Sequence, residues 1–159
     1  MTLARTASGR RVCGRPLVGL VSALSLMIVI LAGCGTSGVV LEEDADLAAK
    51  LEQVVRDGRA VPLREVTGGD WDRVYILPGE NTQDYVEEKV GGPVDMDGIN
   101  EYGNEHGGIV VLKRGSEIQR AVSFEDFPFR SDFGTFGAQV VAERQSPGAQ
   151  RLILREPRV

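Results

Sequence analysis

A thiol, an imidazole and a cluster of carboxylates are the side chains of this 159-residue chain with the most chemistry to offer. The one histidine, His106, sits in NEHGG, with Glu101 and Glu105 close by and Asp95 and Asp97 a few residues before them. Carboxylate oxygens and a neutral imidazole brought to one point can hold a divalent cation or a small polar solute. Asp95, Asp97, Glu101 and His106 are therefore a candidate metal set. The spacing does not make a calcium loop of the EF-hand type: with Gly98 at the sixth position, Pro93 falls at the first and Asn104 at the twelfth, where an Asp and a bidentate Glu are needed. A general-base role for His106 would want an oriented nucleophile beside it, and a lone histidine in a polar loop reads first as an exposed, solvated one.

No other pattern supplies catalysis. The chain has no G-x-S-x-G elbow, no Walker loop and no dinucleotide fingerprint. The pairs Glu42-Glu43 and Glu87-Glu88 suit solvated helix surfaces. No catalytic residue and no cofactor is expected, and the chain reads as a non-enzyme.

Of the two cysteines, Cys13 and Cys34, the second closes the stretch LAGC. Arg5, Arg10, Arg11 and Arg15 precede it without any acidic residue, and the uncharged run PLVGLVSALSLMIVIL leads into it. A positive segment followed by a short apolar one is the pattern of an export signal; the run from Leu17 to Leu31 falls short of the ~20 residues a bilayer span needs. Leu31, Ala32, Gly33 and Cys34 resemble, position by position, the cleavage box of bacterial lipoprotein signal peptides. The resemblance implies a diacylglyceryl thioether on Cys34, cleavage between Gly33 and Cys34, and a lipid-anchored protein on the extracytoplasmic face of the cell membrane. An uncleaved anchor, or a secreted protein in which Cys34 is incidental, is the alternative. Arg10-Arg11 leaves the export route open between the general and twin-arginine systems. Two acyl chains, at ~0.8 kcal/mol per buried CH₂, give stable attachment where one is marginal.

Cleavage would leave 126 residues, enough for one compact domain, carrying 14 basic against 23 acidic side chains, a net of −9. Such a domain repels nucleic acid and anionic headgroups, so attachment falls to the acyl chains. With Cys13 removed and Cys34 acylated, no disulfide, thiolate metal site or thiol nucleophile would remain.

The chain divides into a signal peptide over 1–33, a lipidated cysteine and short tether over 34–40, and a single domain over 41–159. Leu47, Leu51, Val54 and Val55 give an apolar helical face within Leu41–Gly58, acids early and bases late, with Gly58 as the stop. A strand is predicted within Gly68–Gly79 and a helix over 82–91 capped by Asn81. A long loop is expected over 92–108. Arg114-Gly115-Ser116 and Ser146-Pro147-Gly148-Ala149 each join two strand-like runs, the second with the Pro and Gly placement of a type II turn. The order predicts an α+β fold, one or two helices packed on one face of a mainly antiparallel sheet of about four to five strands.

Trp71-Asp72-Arg73-Val74-Tyr75, Pro78, Thr82 to Gly91 and Val110 to Val122 resemble a pattern found in small bacterial lipoproteins without an assigned activity. That resemblance implies a domain type and no catalytic residue. Trp71 is expected in the core, its indole N–H finding a local acceptor, against the alternative of a partner-binding anchor. Phe127, Phe129, Phe133 and Phe136 lie between the hairpins, as either a core-plugging crossover or an exposed patch for an envelope protein. A non-catalytic interaction module is the leading expectation. A solute or ion binder using residues 95–106 comes second, and an enzyme acting on envelope material third.

Overall fold

The computed structural model describes residues 38–97, 107–130 and 133–157. In chain order these form β1 (Val39–Glu43), α1 (Ala45–Asp57), β2 (Val61–Pro62), α2 (Leu63–Thr67), β3 (Arg73–Pro78), α3 (Gln83–Val90), β4 (Val94–Asp95), β5 (Gly108–Arg114), β6 (Glu117–Phe124), β7 (Gly134–Gly137), β8 (Val141–Arg144) and β9 (Leu152–Arg155). The class is α+β, as expected, with more strands than the sequence suggested. A six-stranded sheet has the order β4-β1-β6-β5-β3-β7, and a separate three-stranded sheet the order β2-β8-β9. The larger sheet is mixed, because β1 runs parallel to both β4 and β6.

The β5–β6 hairpin forms around Gly115, whose φ of 58° uses the freedom of a residue without Cβ. The Asp72 carboxylate accepts the Gly115 N–H at 2.8 Å, tying the turn to the start of β3. The β8–β9 hairpin forms as well: the Ala149 N–H donates to the Ser146 carbonyl at 3.0 Å and Gly148 has φ 84°, the geometry a type II turn requires.

The helices do not share one face. Strand residues alternate between two cores, so that Val74, Ile76, Val110, Leu112, Val122 and Phe124 join Leu47, Leu51 and Val54 of α1, Leu63 and Val66 of α2, and Ala142, Leu152 and Leu154 of the small sheet. Tyr75, Leu77, Ile109, Val111 and Ala121 point the other way, against Val86 and Val90 of α3. Coverage of both faces explains why β3 and β5 are apolar almost without interruption, a composition proper to strands buried on both sides.

Several boundaries differ from expectation. Glu42 and Glu43 belong to β1 and not to the first helix, which starts after Asp44; its carboxylate accepts the Leu47 N–H at 2.8 Å and caps α1. Val39 and Val40, expected within a 34–40 tether, pair with Val94 and Asp95 in the sheet. The cap of α3 is Thr82 in place of Asn81, whose amide instead donates to the Pro78 carbonyl. Within the expected 92–108 loop, Val94 and Asp95 form β4; residues 98–106 lie outside the described residues.

Candidate functional site

Val55, Ala48, Glu52 and Arg56 follow one edge of α1, beside its buried stripe, at spacings of three, four and seven or eight residues that share a helix face. This edge forms one wall of a cavity of about 410 Å³. Phe124 at the end of β6 and the crossover residues Asp126, Phe127 and Pro128 form the floor and far side, and Gln150 and Arg151, just before β9, close the end. The crossover is held there by the small sheet: the Leu152 N–H donates to the Pro128 carbonyl and the Arg130 N–H to the Leu152 carbonyl, both at 2.8 Å.

The floor is aromatic and the rim carries both signs of charge. Arg56 pairs with Glu52 at 3.3 Å and Arg151 with Asp126 at 3.6 Å, all four side chains well exposed. Exposed pairs of this kind contribute little to folding, so their guanidinium and carboxylate groups can exchange partners with a ligand at small cost. The lining contains no thiol, imidazole, hydroxyl or amine. What it can do is bury an apolar group and satisfy charged or polar neighbours around it.

The phenylalanine segment is a plug. Phe127 and Phe129 are buried at 3% and 1% exposure, and Phe136 is half-buried against the same core, so Phe127, Phe129 and Phe136 offer no open patch to a partner. Phe133, 45% exposed, is the outward member, stacked on Phe127 with ring centres 6.0 Å apart. Phe127 also meets Phe124 and Phe129 edge-on, at 6.2 and 5.5 Å. The site thus uses the plug's back, Phe124 and Phe127, as its floor.

Trp71 is buried at 1% exposure, its indole N–H donating to Thr67 Oγ1 at 2.9 Å and to the Gly68 carbonyl at 3.1 Å. It is a core residue with local acceptors. The guanidinium of Arg64 lies over its ring, 5.4 Å from the centre.

Of the candidate metal set only Asp95 and Asp97 lie among the described residues. Asp95 accepts the Asp97 N–H at 2.9 Å in a local turn; Glu101 and His106 lie outside the described residues, as do Gly33 and Cys34. No group of three or more His, Cys, Asp or Glu side chains among the described residues is placed to hold a metal ion.

Sequence reasoning missed Glu52, Arg56, Asp126 and Arg151. The α1 members carry a signal, a mixed-charge edge next to an apolar stripe. Asp126 and Arg151 meet only through the tertiary pairing of the crossover with β9, which no local pattern announces. Comparisons with protein-family models, with curated proteins and with solved structures found no match to this chain.

Proposed function

We propose that this chain is a lipid-anchored binding protein of the cell envelope, held on the extracytoplasmic face of the membrane by acyl chains on Cys34 and engaging a protein partner through the α1 groove. The observation that carries the anchoring is LAGC at the end of an uncharged run behind four arginines. Among the described residues no helix is long and apolar enough to cross a membrane. Binding without catalysis is supported by the groove's composition: an aromatic floor for one apolar side chain, and Arg56, Arg151, Glu52 and Asp126 around it for a segment carrying charges of both signs.

Two experiments test the two halves. Intact mass of the membrane-extracted protein is expected to give a chain beginning at Cys34 with an acyl adduct, and Cys34→Ser is expected to keep the full leader and lose the adduct. A wild-type chain still starting near Met1, or unmodified, refutes the anchor. Crosslinking in intact cells is expected to capture one abundant partner with the wild type and to lose it in the Arg56→Glu, Arg151→Glu double variant. Equal capture by both forms removes the groove from the reading.

A further inference from the structure

The larger sheet has two unlike ends, and the tether reaches only one of them. Register places the start of β1 level with Arg73 at the start of β3 and with Lys113 near the end of β5, because Leu41 pairs with Ala121, Ala121 with Val111, and Val111 with Tyr75. The same end holds the β5–β6 turn. It also holds the last turn of α3, since the Lys113 ammonium donates to the carbonyls of Val90 and Gly91. The carboxyl end of β1 lies level with Ser123, Ile109 and Leu77, and carries the N-terminus of α1, the turn after β3 and the start of the phenylalanine segment.

Charge separates these ends. Over 70–73, 87–95 and 113–117, and at Glu156, whose carboxylate accepts the N–H of Gly137 beside Arg73, four bases (Arg73, Lys89, Lys113, Arg114) stand against seven acids. Over 43–46, 78–84 and 124–126 there are seven acids and no base; Arg120 and Arg151 reach two of these acids, Asp44 and Asp126, from elsewhere. The first end is the less acidic of the two, at −3 against −7. An anionic surface within a Debye length, ~10 Å at 0.1 M salt, repels the second more than the first.

The tether is short against the length of the sheet. Gly38 is fixed to the sheet: a Cβ there would meet the backbone of Pro93, Val94 and Asp95 at 2.8–3.0 Å, and the Val39 N–H donates to the Pro93 carbonyl at 3.2 Å. Only Gly35, Thr36 and Ser37 separate it from Cys34, a span of at most ~14 Å when fully extended. The sheet measured along β5 is roughly 20 Å long at ~3.3 Å per residue. Bringing the acidic end to the bilayer would lift Gly38 further from the surface than the tether can follow.

We infer that the anchored domain seats the β5–β6 turn, the start of β3 and the last turn of α3 toward an anionic bilayer, and holds the acidic end outward. The inference rests on the lipid-anchoring reading above. The outward end includes Asp126, so one lip of the α1 groove faces away from the membrane and stays open to a partner.

The test uses the mature lipidated protein, from which Cys13 has been removed with the leader, in vesicles of phosphatidylglycerol and phosphatidylethanolamine doped with a headgroup nitroxide lipid. Ser116→Cys in the β5–β6 turn and Glu80→Cys after β3, both exposed positions, each supply one free thiol for a fluorophore, since Cys34 is blocked by its thioether. Emission from residue 116 is expected to be quenched several-fold more than emission from residue 80. Equal quenching, stronger quenching at 80, or none at either position in protein that floats with the vesicles overturns the orientation. Inserting a long Gly/Ser stretch between Ser37 and Gly38 is expected to reduce the contrast with flotation intact, leaving only what charge imposes; an undiminished contrast overturns the argument from reach. A chain that neither floats nor carries an acyl adduct refutes the anchoring itself, a result separable from a wrong orientation.

Discussion

Replacing Gly108 with alanine tests the packing on which the groove's floor depends. A Cβ at this position would lie 2.1, 2.3 and 2.4 Å from Cδ2, Cε2 and Cγ of Phe127, where carbon atoms in contact prefer about 3.5–4.0 Å. The ring has little room to retreat, because Phe124 and Phe129 meet it edge-on and Phe133 stacks on it. Overpacking of this kind costs about 1–3 kcal/mol. Alanine is better than glycine in a strand interior by about 0.5–1 kcal/mol, which, with an overlap this deep at the upper end of the overpacking range, leaves a net loss of about 2–2.5 kcal/mol. The sign should reverse when the ring is gone: Phe127→Ala alone is expected to cost about 3–5 kcal/mol, and adding Gly108→Ala to it should return about 0.5–1 kcal/mol. Urea unfolding of the compact unit from Gly35 onward reads the cycle as shifts in midpoint at constant slope. Where Phe127→Ala leaves too little folded protein, Phe127→Leu serves as the milder background. A Gly108→Ala change within about 0.5 kcal/mol of wild type, or the same cost with and without the ring, would refute the argument that the bare α-carbon of β5 is what admits the plug.

Three further outcomes follow from particular contacts. Asp44→Ala is expected to cost about 1–2 kcal/mol in the same unfolding assay through loss of the α1 cap, whereas Asp44→Asn, which caps equally well, should cost less and isolate the pairing with Arg120. Trp71→Phe should destabilise by about 0.5–1.5 kcal/mol by removing the indole hydrogen bonds to Thr67 Oγ1 and the Gly68 carbonyl. As the sole tryptophan, Trp71 should also give native emission that shifts to longer wavelength on unfolding, and a native spectrum already typical of solvated indole would contradict its burial. Arg56→Ala and Arg151→Ala should each change stability by less than about 0.5 kcal/mol while reducing partner capture in the crosslinking assay; a large stability loss would mean that these side chains hold the fold and not a ligand.

Both hairpins were legible in the sequence because their turns announce themselves: Gly115 and Gly148 stand where positive φ is required, and Pro147 precedes the second. The buried stripe of α1 was legible for the same local reason, an i, i+4, i+7 spacing. The strand β1 was not. Of its five residues only Leu41 is buried, and Glu42 and Glu43 look like the acidic first turn of a helix until Asp44 is seen to cap α1 instead. Its parallel pairing with β6 joins residues about eighty positions apart in the chain, and short-range periodicity holds no trace of such a contact. The five-residue α2 is too short to show an apolar period. The groove shared this fate, since Arg151 and Asp126 come together only once the crossover lies along β9.

Burial of the aromatic segment changes where recognition can occur. Four phenylalanines among glycines read as adhesive surface only if their neighbours leave them exposed, and here the glycine is itself the receptor: Gly108 offers a bare α-carbon into which Phe127 settles. Phe127 carries the crossover with it, and backbone hydrogen bonds from the crossover to Leu152 bring the small sheet against α1's side of the large one. The cavity at this junction is a consequence of that closure, with the plug's aromatic back for a floor and charges from α1 and the two connecting loops for a rim. A partner that inserts an apolar side chain there would press on the element joining the two sheets. Occupancy is therefore expected to slow amide exchange at Arg130 and Leu152 as well as at the rim, and protection confined to the rim would place the partner on the surface alone.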